Sequence, residues 1–308
     1  MKTEKERIPR QRETISEPQY VLSLSYGKDS LACLGAIAEL GWPLHRIVHC
    51  EIWATREINA DLPPMIQFKD RADEIIYQMT GITVERVRAK KTYEEQFYTK
   101  YKKPGGVRYG QIYGWPMICH GPKLGAWCNS KLKVGPLKSA LKNHGRKCTV
   151  QYIGIAADEP SRFHNLSETK KSPLTAAGWT ETMCREWCES HGLLSPIYQS
   201  SARGGCWFCH NQSVQQLRLL RREYPAYWAL LLKWDRDSGR SFKADGHTAL
   251  DFERRFAAED AGVFLDRPFR WKTLEDKSVA ERLRLIQAAG ESECNRGMET
   301  QFCGSIAG

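Results

Sequence analysis

The feature that most constrains the fold is an apolar run followed at once by a short polar turn and a helical pattern. Residues 20–24 (YVLSL) predict a buried strand, residues 31–40 (LACLGAIAEL) predict a helix, and residues 25–30 (SYGKDS) form the turn between them. A glycine between Ser25 and Ser30 at a helix start leaves several backbone N–H groups pointing at one spot, with the helix dipole behind them. This unit therefore predicts an anion site suited to phosphate.

The alternation of strands and helices continues along the chain. Further strands are predicted at residues 46–52, 82–87 and 149–155, and further helices at residues 63–79 and 134–144. Such alternation predicts an α/β fold with a doubly wound, mainly parallel sheet. Ligands of these sheets bind at the carboxyl ends of the strands, where the 25–30 turn would lie. Glu51, at the end of the second predicted strand, is then placed to contact a ribose or the edge of an adenine.

The 25–30 turn differs from a Walker A loop, in which lysine is followed directly by Ser or Thr, because Asp29 separates Lys28 from Ser30. It resembles the pyrophosphate loop (PP-loop) of the ATP pyrophosphatase superfamily, Ser-Gly-Gly-x-Asp-Ser, with Tyr26 in place of the first glycine. The alternative interpretation is an ordinary turn between strand and helix, capped by an Asp or Ser side chain.

Two later segments resemble the phosphoadenosine phosphosulfate (PAPS) reductase family, a branch of the same superfamily. Residues 128–137 (CNSKLKVGPL) are similar to that family's Cys-Cys-x-x-Arg-Lys-Val-x-Pro-Leu segment. Gly154, Glu159 and Arg162 fit its Gly-x-Arg-x-x-Glu-Ser-x-x-Arg segment, whose first arginine is absent here. The resemblance covers residues 19–212 and implies a Rossmann-like, adenine nucleotide alpha hydrolase-like fold. It also implies an enzyme that binds ATP, or APS or PAPS, together with Mg²⁺.

We expect each part of the turn to have a role in binding the nucleotide. The hydroxyls of Ser25 and Ser30 and the backbone amides between them would hold the phosphates, and Lys28 would add positive charge. Asp29 would either cap the helix or help to bind Mg²⁺. Lys28 and Asp29 are also the catalytic candidates of the turn. The complete set of expected nucleotide-binding residues is Ser25, Tyr26, Gly27, Lys28, Asp29, Ser30, Glu51, Lys131, Lys133, Gly154, Glu159 and Arg162.

Cysteine spacing gives a separate signal. Cys206 and Cys209 form a Cys-x-x-Cys pair, whose spacing lets two thiolates bind one metal ion or cluster from a single turn. Cys119 and Cys128, which flank the reductase-like segment, would supply the other two ligands. The family resemblance then implies a four-iron four-sulfur cluster.

Other interpretations of the cysteines stay open. Zinc in a four-thiolate site is the main alternative, with His120 or His210 replacing one ligand, and the absence of any metal is the third. Cys184 and Cys188 lie one turn apart on a predicted helix, and we expect them to be small buried apolar residues.

The substrate decides which reaction follows. With ATP, attack at the α-phosphorus releases pyrophosphate and adenylylates an acceptor, which suits sulfur activation or transfer. With APS or PAPS, a thiolate must attack sulfur, and Cys294 or Cys303 is the candidate nucleophile of such a sulfonucleotide reductase. The reductase family's C-terminal Glu-Cys-Gly-Leu-His tail has no counterpart in this sequence. A transferase is therefore favoured over this oxidoreductase, with a thiol or sulfur donor protein as partner.

Positive charge is concentrated in the segment 86–147. It holds fifteen Lys or Arg against two acids, whereas the whole chain has a net charge of +10. Its aromatic residues are Tyr93, Phe97, Tyr98, Tyr101, Tyr109, Tyr113, Trp115 and Trp127. Cations that meet phosphates and aromatic rings that stack on bases would suit a nucleic acid, and nucleic-acid binding without turnover is a third function class. The alternatives are a highly charged nucleotide, or a solvated surface whose aromatics pack into the core.

The remaining sequence indicates a cytoplasmic protein. No apolar run approaches the ~20 residues of a membrane span, and the N-terminus lacks the apolar stretch of a signal peptide. The eleven cysteines are then expected to be thiols or metal ligands rather than disulfides. The predicted organisation is an N-terminal extension (1–18), the nucleotide-binding domain (19–212), a helical C-terminal region (213–290) and a flexible tail (291–308). The helices predicted in the C-terminal region are at residues 213–223, 226–233 and 276–289.

Overall fold

The computed structural model describes residues 18–116, 126–142, 148–163, 166–200 and 204–261. The chain divides into two compact units, Met1–Cys209 and His210–Gly308. Several predicted features lie outside the described residues: residues 1–17, Cys119, His120, the helix at 276–289, Cys294, Cys303 and the tail at 291–308. Among the helices that the structure describes, none is long and apolar enough to cross a bilayer.

The first unit begins with alternating strands and helices. They are β1 (Gln19–Leu24), α1 (Lys28–Glu39), β2 (Arg46–Glu51), α2 (Pro63–Thr80), β3 (Val84–Arg88) and α3 (Tyr93–Phe97). Proline suits the start of α2 because the first N–H groups of a helix have no partner within it. Gly81 ends α2 with a φ of +68°, a left-handed conformation that costs glycine little. The strands and helices predicted before residue 90 are thus confirmed, with ends that shift by one to three residues.

The rest of the first unit consists of shorter elements. They are a π-helical turn (Asn129–Val134), α4 (Gly135–Ala140), β4 (Thr149–Tyr152), α5 (Pro160–Phe163), β5 (Lys170–Lys171), α6 (Pro173–Ala177), α7 (Glu181–Ser190) and α8 (Ile197–Ser200). The helix predicted at 134–144 therefore begins earlier, in the wider π form. Strand β5 was not predicted, because two exposed lysines carry no apolar pattern.

The sheet contains five strands in the order β3-β2-β1-β4-β5, and every neighbouring pair is parallel. Leu22 in the central strand is opposite Ile47 on one side and Tyr152 on the other. The chain passes from β1 to β2 in one direction and reaches β4 in the other. The carboxyl ends of β1 and β4 therefore flank the point where the strand order reverses, which is where ligands of doubly wound sheets bind.

The core of the first unit lies between the sheet and its flanking helices. Its buried side chains include Leu22, Leu24, Leu31, Ile37, Ile47, Phe68, Ile76 and Leu174. Cys184 and Cys188 of α7 also belong to this core, as predicted. Helix α1 approaches α7 closely at Gly35, where a Cβ atom would lie 2.5 Å from Nε1 of Trp187 and 2.8 Å from the ring of Trp179. This contact fixes α1, and with it the turn that precedes α1.

The second unit is helical in its described part. Its helices are α9 (Val214–Glu223), α10 (Pro225–Ser238) and α11 (Ala249–Asp260). Leu217, Leu231 and Phe256 are buried within it. Arg218 of α9 forms a bidentate ion pair with Glu259 of α11, at 2.6 and 2.9 Å. The helices predicted at 213–223 and 226–233 are thereby confirmed, although α10 is longer than predicted.

The Gly35 contact can be tested by adding one methyl group. We expect Gly35→Ala to lower the free energy of unfolding by about 1–3 kcal/mol, the usual cost of overpacking. This exceeds the ~1 kcal/mol that alanine's helix propensity adds. Ala38→Leu, which adds atoms to an exposed position of the same helix, is the control. Urea unfolding followed by circular dichroism measures both variants, and equal stabilities would contradict the proposed tight contact.

Candidate functional site

A cleft of about 790 Å³ opens at the carboxyl ends of β1 and β2. The sequence-predicted residues that line it are Ser25, Tyr26, Gly27, Lys28, Asp29, Lys133, Arg162 and Cys206. The fold therefore brings the 25–30 turn together with residues from three segments that are far away in sequence. The cleft is also lined by His49, Asp61, Lys69, Glu181 and Tyr198, which the sequence analysis did not single out.

Helix α1 begins without a side-chain cap, because Gly27 occupies the N-cap position. The Ser30 hydroxyl instead donates to the Gly27 carbonyl at 2.9 Å and accepts from the backbone N–H of Ser25 at 3.1 Å. Ser25 Oγ lies 2.9 Å from Ser30 Oγ. The two hydroxyls thus hold the turn in shape, and the interpretation of a turn capped by Asp or Ser is wrong. For the same reason Asp29 does not cap the helix.

Tyr26 stands where the PP-loop pattern has its first glycine. Its backbone adopts a conformation that favours glycine. Its φ is +55°, in the left-handed region that costs an ordinary residue about 1–2 kcal/mol. The side chain is buried, its hydroxyl donates to Asp73, and its ring meets the ring of His49 edge-on at 4.7 Å. Asp73 in turn accepts from Arg86 at 2.7 Å. The buried phenol therefore stabilises a turn that glycine would form without strain.

Gly154 packs against the backbone of the turn and does not line the cleft. A Cβ atom at this position would lie 2.7 Å from the carbonyl carbon of Asp29 and 2.7 Å from the backbone nitrogen of Ser30. The segment after β4 thus packs its backbone directly against the first turn of α1. Only glycine allows this approach, so the glycine of the family-like segment has a structural role here.

Three carboxylates meet beside the turn. In the described part of the chain, Asp29, Glu159 and Glu181 are the only group of three or more potential ligands whose atoms all lie within 4.8 Å of one another. Burial raises the pKa of Asp29, Glu181 and Glu159 raise it further, and Lys28 opposes this from 2.6 Å. Nη1 of Arg162 donates to both carboxylate oxygens of Glu159, at 2.6 and 2.7 Å. Carboxylate oxygens are suitable ligands for Mg²⁺, which keeps several waters when bound.

Amides of the turn other than that of Ser25 also have partners, since the Gly27 N–H donates to Ser25 Oγ at 3.4 Å. The backbone N–H of Lys28 donates to the phenol oxygen of Tyr198 at 3.0 Å, and the same oxygen lies near Gly27. This amide is one of those that a phosphate would need. Tyr198 therefore occupies part of the predicted anion site.

Five of the predicted nucleotide ligands do not line the cleft: Ser30, Glu51, Lys131, Gly154 and Glu159. Lys131 is exposed and lies over the ring of Tyr113, at 5.6 Å, whereas Lys133 lines the cleft. Residues two apart on a helical turn do not share a face, so both lysines could not have faced one ligand. Glu51 accepts a hydrogen bond from Nε1 of Trp53 at 2.8 Å and lines a separate pocket of about 530 Å³. The nucleotide contacts predicted for Lys131 and Glu51 stay predictions.

Cysteines from distant segments approach one another beside the cleft. Burial raises the pKa of Cys128 to about 11, and the neighbouring Cys209 adds to this effect. Burial also raises the pKa of Cys206 to about 12, an effect that Lys133 opposes and that Asp61, Cys209 and Cys128 reinforce. The backbone N–H of Cys209 donates to the carbonyl of Cys206 at 3.0 Å, which closes the predicted tight turn.

The spacing of these thiols bears on which metal they could hold. Zinc–sulfur bonds of about 2.3 Å in a tetrahedral site place the sulfurs about 3.8 Å apart. Among the described residues, Cys128, Cys206 and Cys209 do not form a group with all sulfurs within 4.8 Å. A four-iron cluster binds each thiolate through a different iron, so its ligands stand farther apart. The choice between a cluster and zinc stays a prediction, with Cys119, outside the described residues, as the expected fourth ligand.

The aromatic residues of the basic segment are largely structural. Tyr93, Phe97, Trp115 and Trp127 are buried, and Tyr93 packs against Phe208 of the Cys-x-x-Cys turn at 4.1 Å. Stacking of these four rings on bases is thus ruled out, and the alternative of aromatics that pack into the core is confirmed for them. Their packing gives the neighbouring thiols the apolar surroundings that raise their pKa values.

The sequence contains signals for two of the cleft residues that the sequence analysis did not single out, Lys69 and His49. Lys69 lies on the apolar face of the predicted helix at 63–79, between Phe68 and Ala72, where a solvated lysine is not expected. His49 lies within the apolar pattern of β2. Tyr198 has no comparable signal, because only the fold brings α8 to the turn.

The close approach at Gly154 predicts the effect of another single methyl group. We expect Gly154→Ala to lower the free energy of unfolding by about 1–3 kcal/mol and to weaken nucleotide binding, because the first turn of α1 must move. Gly205→Ala is the matched control, since it lines the same cleft but has no atom within 4 Å of the added Cβ. Thermal unfolding and calorimetric titration with ATP measure both effects. Equal behaviour of the two variants would show that the turn tolerates the displacement.

The Tyr198 contact predicts that loss of one hydroxyl strengthens anion binding. In Tyr198→Phe the Lys28 amide is released, so we expect the affinity for inorganic pyrophosphate to rise about fivefold, which corresponds to a hydrogen bond of ~1 kcal/mol. Tyr109→Phe, an exposed tyrosine that does not line the cleft, is the control. A weaker affinity in Tyr198→Phe, measured by calorimetry, would mean that the phenol donates to the ligand instead of competing with it.

The sequence matches no protein-family model, and no curated protein matches it. The family interpretation therefore depends on the residues of the site itself.

Proposed function

We propose that this chain is a PAPS reductase-like enzyme that binds an adenine nucleotide at the 25–30 turn and acts in sulfur activation or transfer. The observation that supports it best is that the uncapped start of α1 and Cys206 of the Cys-x-x-Cys pair line the same cleft. A group that binds phosphate and a group that binds sulfur or a sulfur-containing cluster thus meet in one volume. That volume, about 790 Å³, is within the usual range for small-molecule sites.

The charges of the cleft suit a polyphosphate. The amides at the start of α1 would bind phosphate oxygens, with Lys28, Lys133 and Arg162 as surrounding cations. Asp29 would hold Mg²⁺ together with Glu159 and Glu181, since their oxygens already lie within 4.8 Å of one another. Mg²⁺ held there would offset part of the negative charge of the phosphates.

With ATP as substrate, an acceptor atom would attack the α-phosphorus. The bond from that phosphorus to the bridging oxygen breaks, and pyrophosphate leaves with the electron pair. The acceptor is then adenylylated, and a sulfur nucleophile can displace AMP from it. The protein would accelerate these steps mainly by positioning the reactants and by stabilising the negative charge on the phosphates.

The cysteines would supply the sulfur chemistry. Cys128, Cys206 and Cys209, with Cys119, would hold a four-iron four-sulfur cluster or, as the alternative, zinc. A sulfur ligand would bind such a group only at a position that one of the four cysteines leaves open. The residues around it exclude water, because Tyr93, Trp127 and Phe208 are buried.

The acceptor would be anionic. The separate pocket of about 530 Å³ is lined by four cations and by Trp53. The cations are Arg56, Arg88, Lys90 and Lys91. Arg88 lies over the Trp53 ring at 5.5 Å, so an aromatic ring and positive charge occur together, as in sites for nucleic acids. A nucleic acid is therefore the acceptor that we favour.

Calorimetric titration of the anaerobically purified protein tests the nucleotide. We expect ATP with Mg²⁺ to bind more tightly than PAPS with Mg²⁺, and Lys133→Met to weaken ATP binding about tenfold, since a lost charged contact costs ~1.4 kcal/mol. Lys131→Met is the matched control, because that lysine is two residues away and does not line the cleft.

The other possible results of these titrations would favour a different function or contradict the proposed one. Preference for PAPS would favour the sulfonucleotide reductase, which would then need Cys294 or Cys303. Binding of neither nucleotide would contradict the proposed function. Equal losses in Lys131→Met and Lys133→Met would show that only the general positive charge matters.

A further inference from the structure

A buried lysine on the wall of the cleft has no role in the function described so far. Lys69 is only 4% exposed, and it lies on the buried face of α2 with Phe68, Ala72 and Ile76. Its ammonium group donates to Asp61 at 2.5 Å and lies 2.9 Å from Nε2 of His49. It also lies 5.1 Å from the centre of the Tyr26 ring. All four residues line the cleft.

The hydrogen bonds of His49 determine its tautomer and therefore the kind of contact that it makes with Lys69. Its Nδ1 lies 2.9 Å from the carbonyl oxygen of Leu24, which only accepts, so Nδ1 carries the proton. Burial and the positive charge of Lys69 lower the pKa of His49 to about 3, and the ring is therefore neutral. Nε2 is then an acceptor, and it receives one N–H of the Lys69 ammonium group.

The lysine keeps one donor for a ligand. An ammonium group has three N–H bonds, and Asp61 and His49 take two of them. Within the ranges that the structure describes, no third hydrogen-bond partner of Lys69 occurs. Packing alone does not account for this arrangement, because a buried ion pair often stabilises a fold no better than apolar side chains of the same volume.

The position of the lysine relates the two halves of the cleft. On one side, its ammonium group faces Tyr26 of the phosphate-binding turn. On the other side, its partner Asp61 is close enough to Cys206 to raise the pKa of that thiol. Lys69 therefore lies between the place where phosphates would be anchored and the place where sulfur would be held.

We propose that Lys69, held in place by Asp61 and His49, binds a tetrahedral oxyanion of the substrate at the side of the cleft that faces the cysteines. The oxyanion is the phosphoryl group that is attacked in ATP, or the sulfuryl group of APS or PAPS. Asp61 and His49 are positioning residues in this arrangement. The inference builds on the proposed nucleotide site and adds the group that contacts the reacting end of the nucleotide.

Calorimetric titrations with ATP and with PAPS, each with Mg²⁺, test this role. We expect Lys69→Met to weaken binding of whichever nucleotide the unmodified protein prefers by about tenfold. Arg71→Met is the matched control, because it removes a positive charge from an exposed position of the same helix and should change affinity less than about twofold. The preferred nucleotide shows whether the oxyanion is phosphoryl or sulfuryl.

The outcomes separate this inference from the proposed function. If the unmodified protein binds nucleotide and Lys69→Met binds it equally well, the role of Lys69 is overturned and the nucleotide site stands. If the unmodified protein binds neither nucleotide, both fail. If Lys69→Met binds more weakly than Arg71→Met while its unfolding stays cooperative, the inference is supported.

A second measurement avoids the loss of the buried ion pair. The protein is labelled with ¹⁵N-lysine, and the Nζ resonance that disappears in Lys69→Arg is assigned to Lys69. We expect this resonance to shift when the preferred nucleotide is added, because the remaining N–H gains an acceptor. An unchanged resonance at saturating nucleotide would overturn the inference even if Lys69→Met does not fold.

Discussion

The candidate site depends on the close approach of two backbone segments at the switch point of the sheet. Gly154, just after β4, lies so near the first turn of α1 that a Cβ atom would be 2.7 Å from the backbone of Asp29 and Ser30. On its other side α1 is fixed by the contact between Gly35 and Trp187. Helix α1 thus has little freedom to slide along the sheet. Its uncapped first turn is held at the carboxyl end of β1, where a doubly wound sheet binds its ligands.

Without a ligand, three cations of the cleft are each paired with a carboxylate. Lys28 is paired with Asp29, Lys69 with Asp61, and Arg162 with Glu159. A bound polyphosphate would compete for these cations, and Mg²⁺ would compete for the released carboxylates. This exchange of partners keeps the buried charges compensated in both states, which matters because an unpaired buried charge is costly.

The aromatic residues of the basic segment show why composition alone was misleading. A stretch with many cations and many rings predicts a nucleic-acid surface, but the sequence does not say which side of the chain each ring faces. Tyr93 and Trp127 face inward because α3 and the Cys-x-x-Cys turn bury one another, with Phe208 between them. A local pattern also does not show which of two nearby lysines enters the cleft. The π-helical turn brings Lys131 over the Tyr113 ring and leaves Lys133 lining the cleft.

The order of strands and helices, the parallel sheet and the position of the 25–30 turn were predictable from the sequence alone. These follow from local patterns: apolar runs, a glycine at a helix start, and prolines and glycines at helix ends. Only the tertiary structure decided that Tyr26 is buried, that Tyr198 meets the Lys28 amide, and that Lys69 lies between His49 and Asp61. Each of these contacts joins residues 20 or more positions apart or depends on packing between separate elements. The physical reason is that burial and charge pairing are set by which elements meet, and a local pattern does not contain that information.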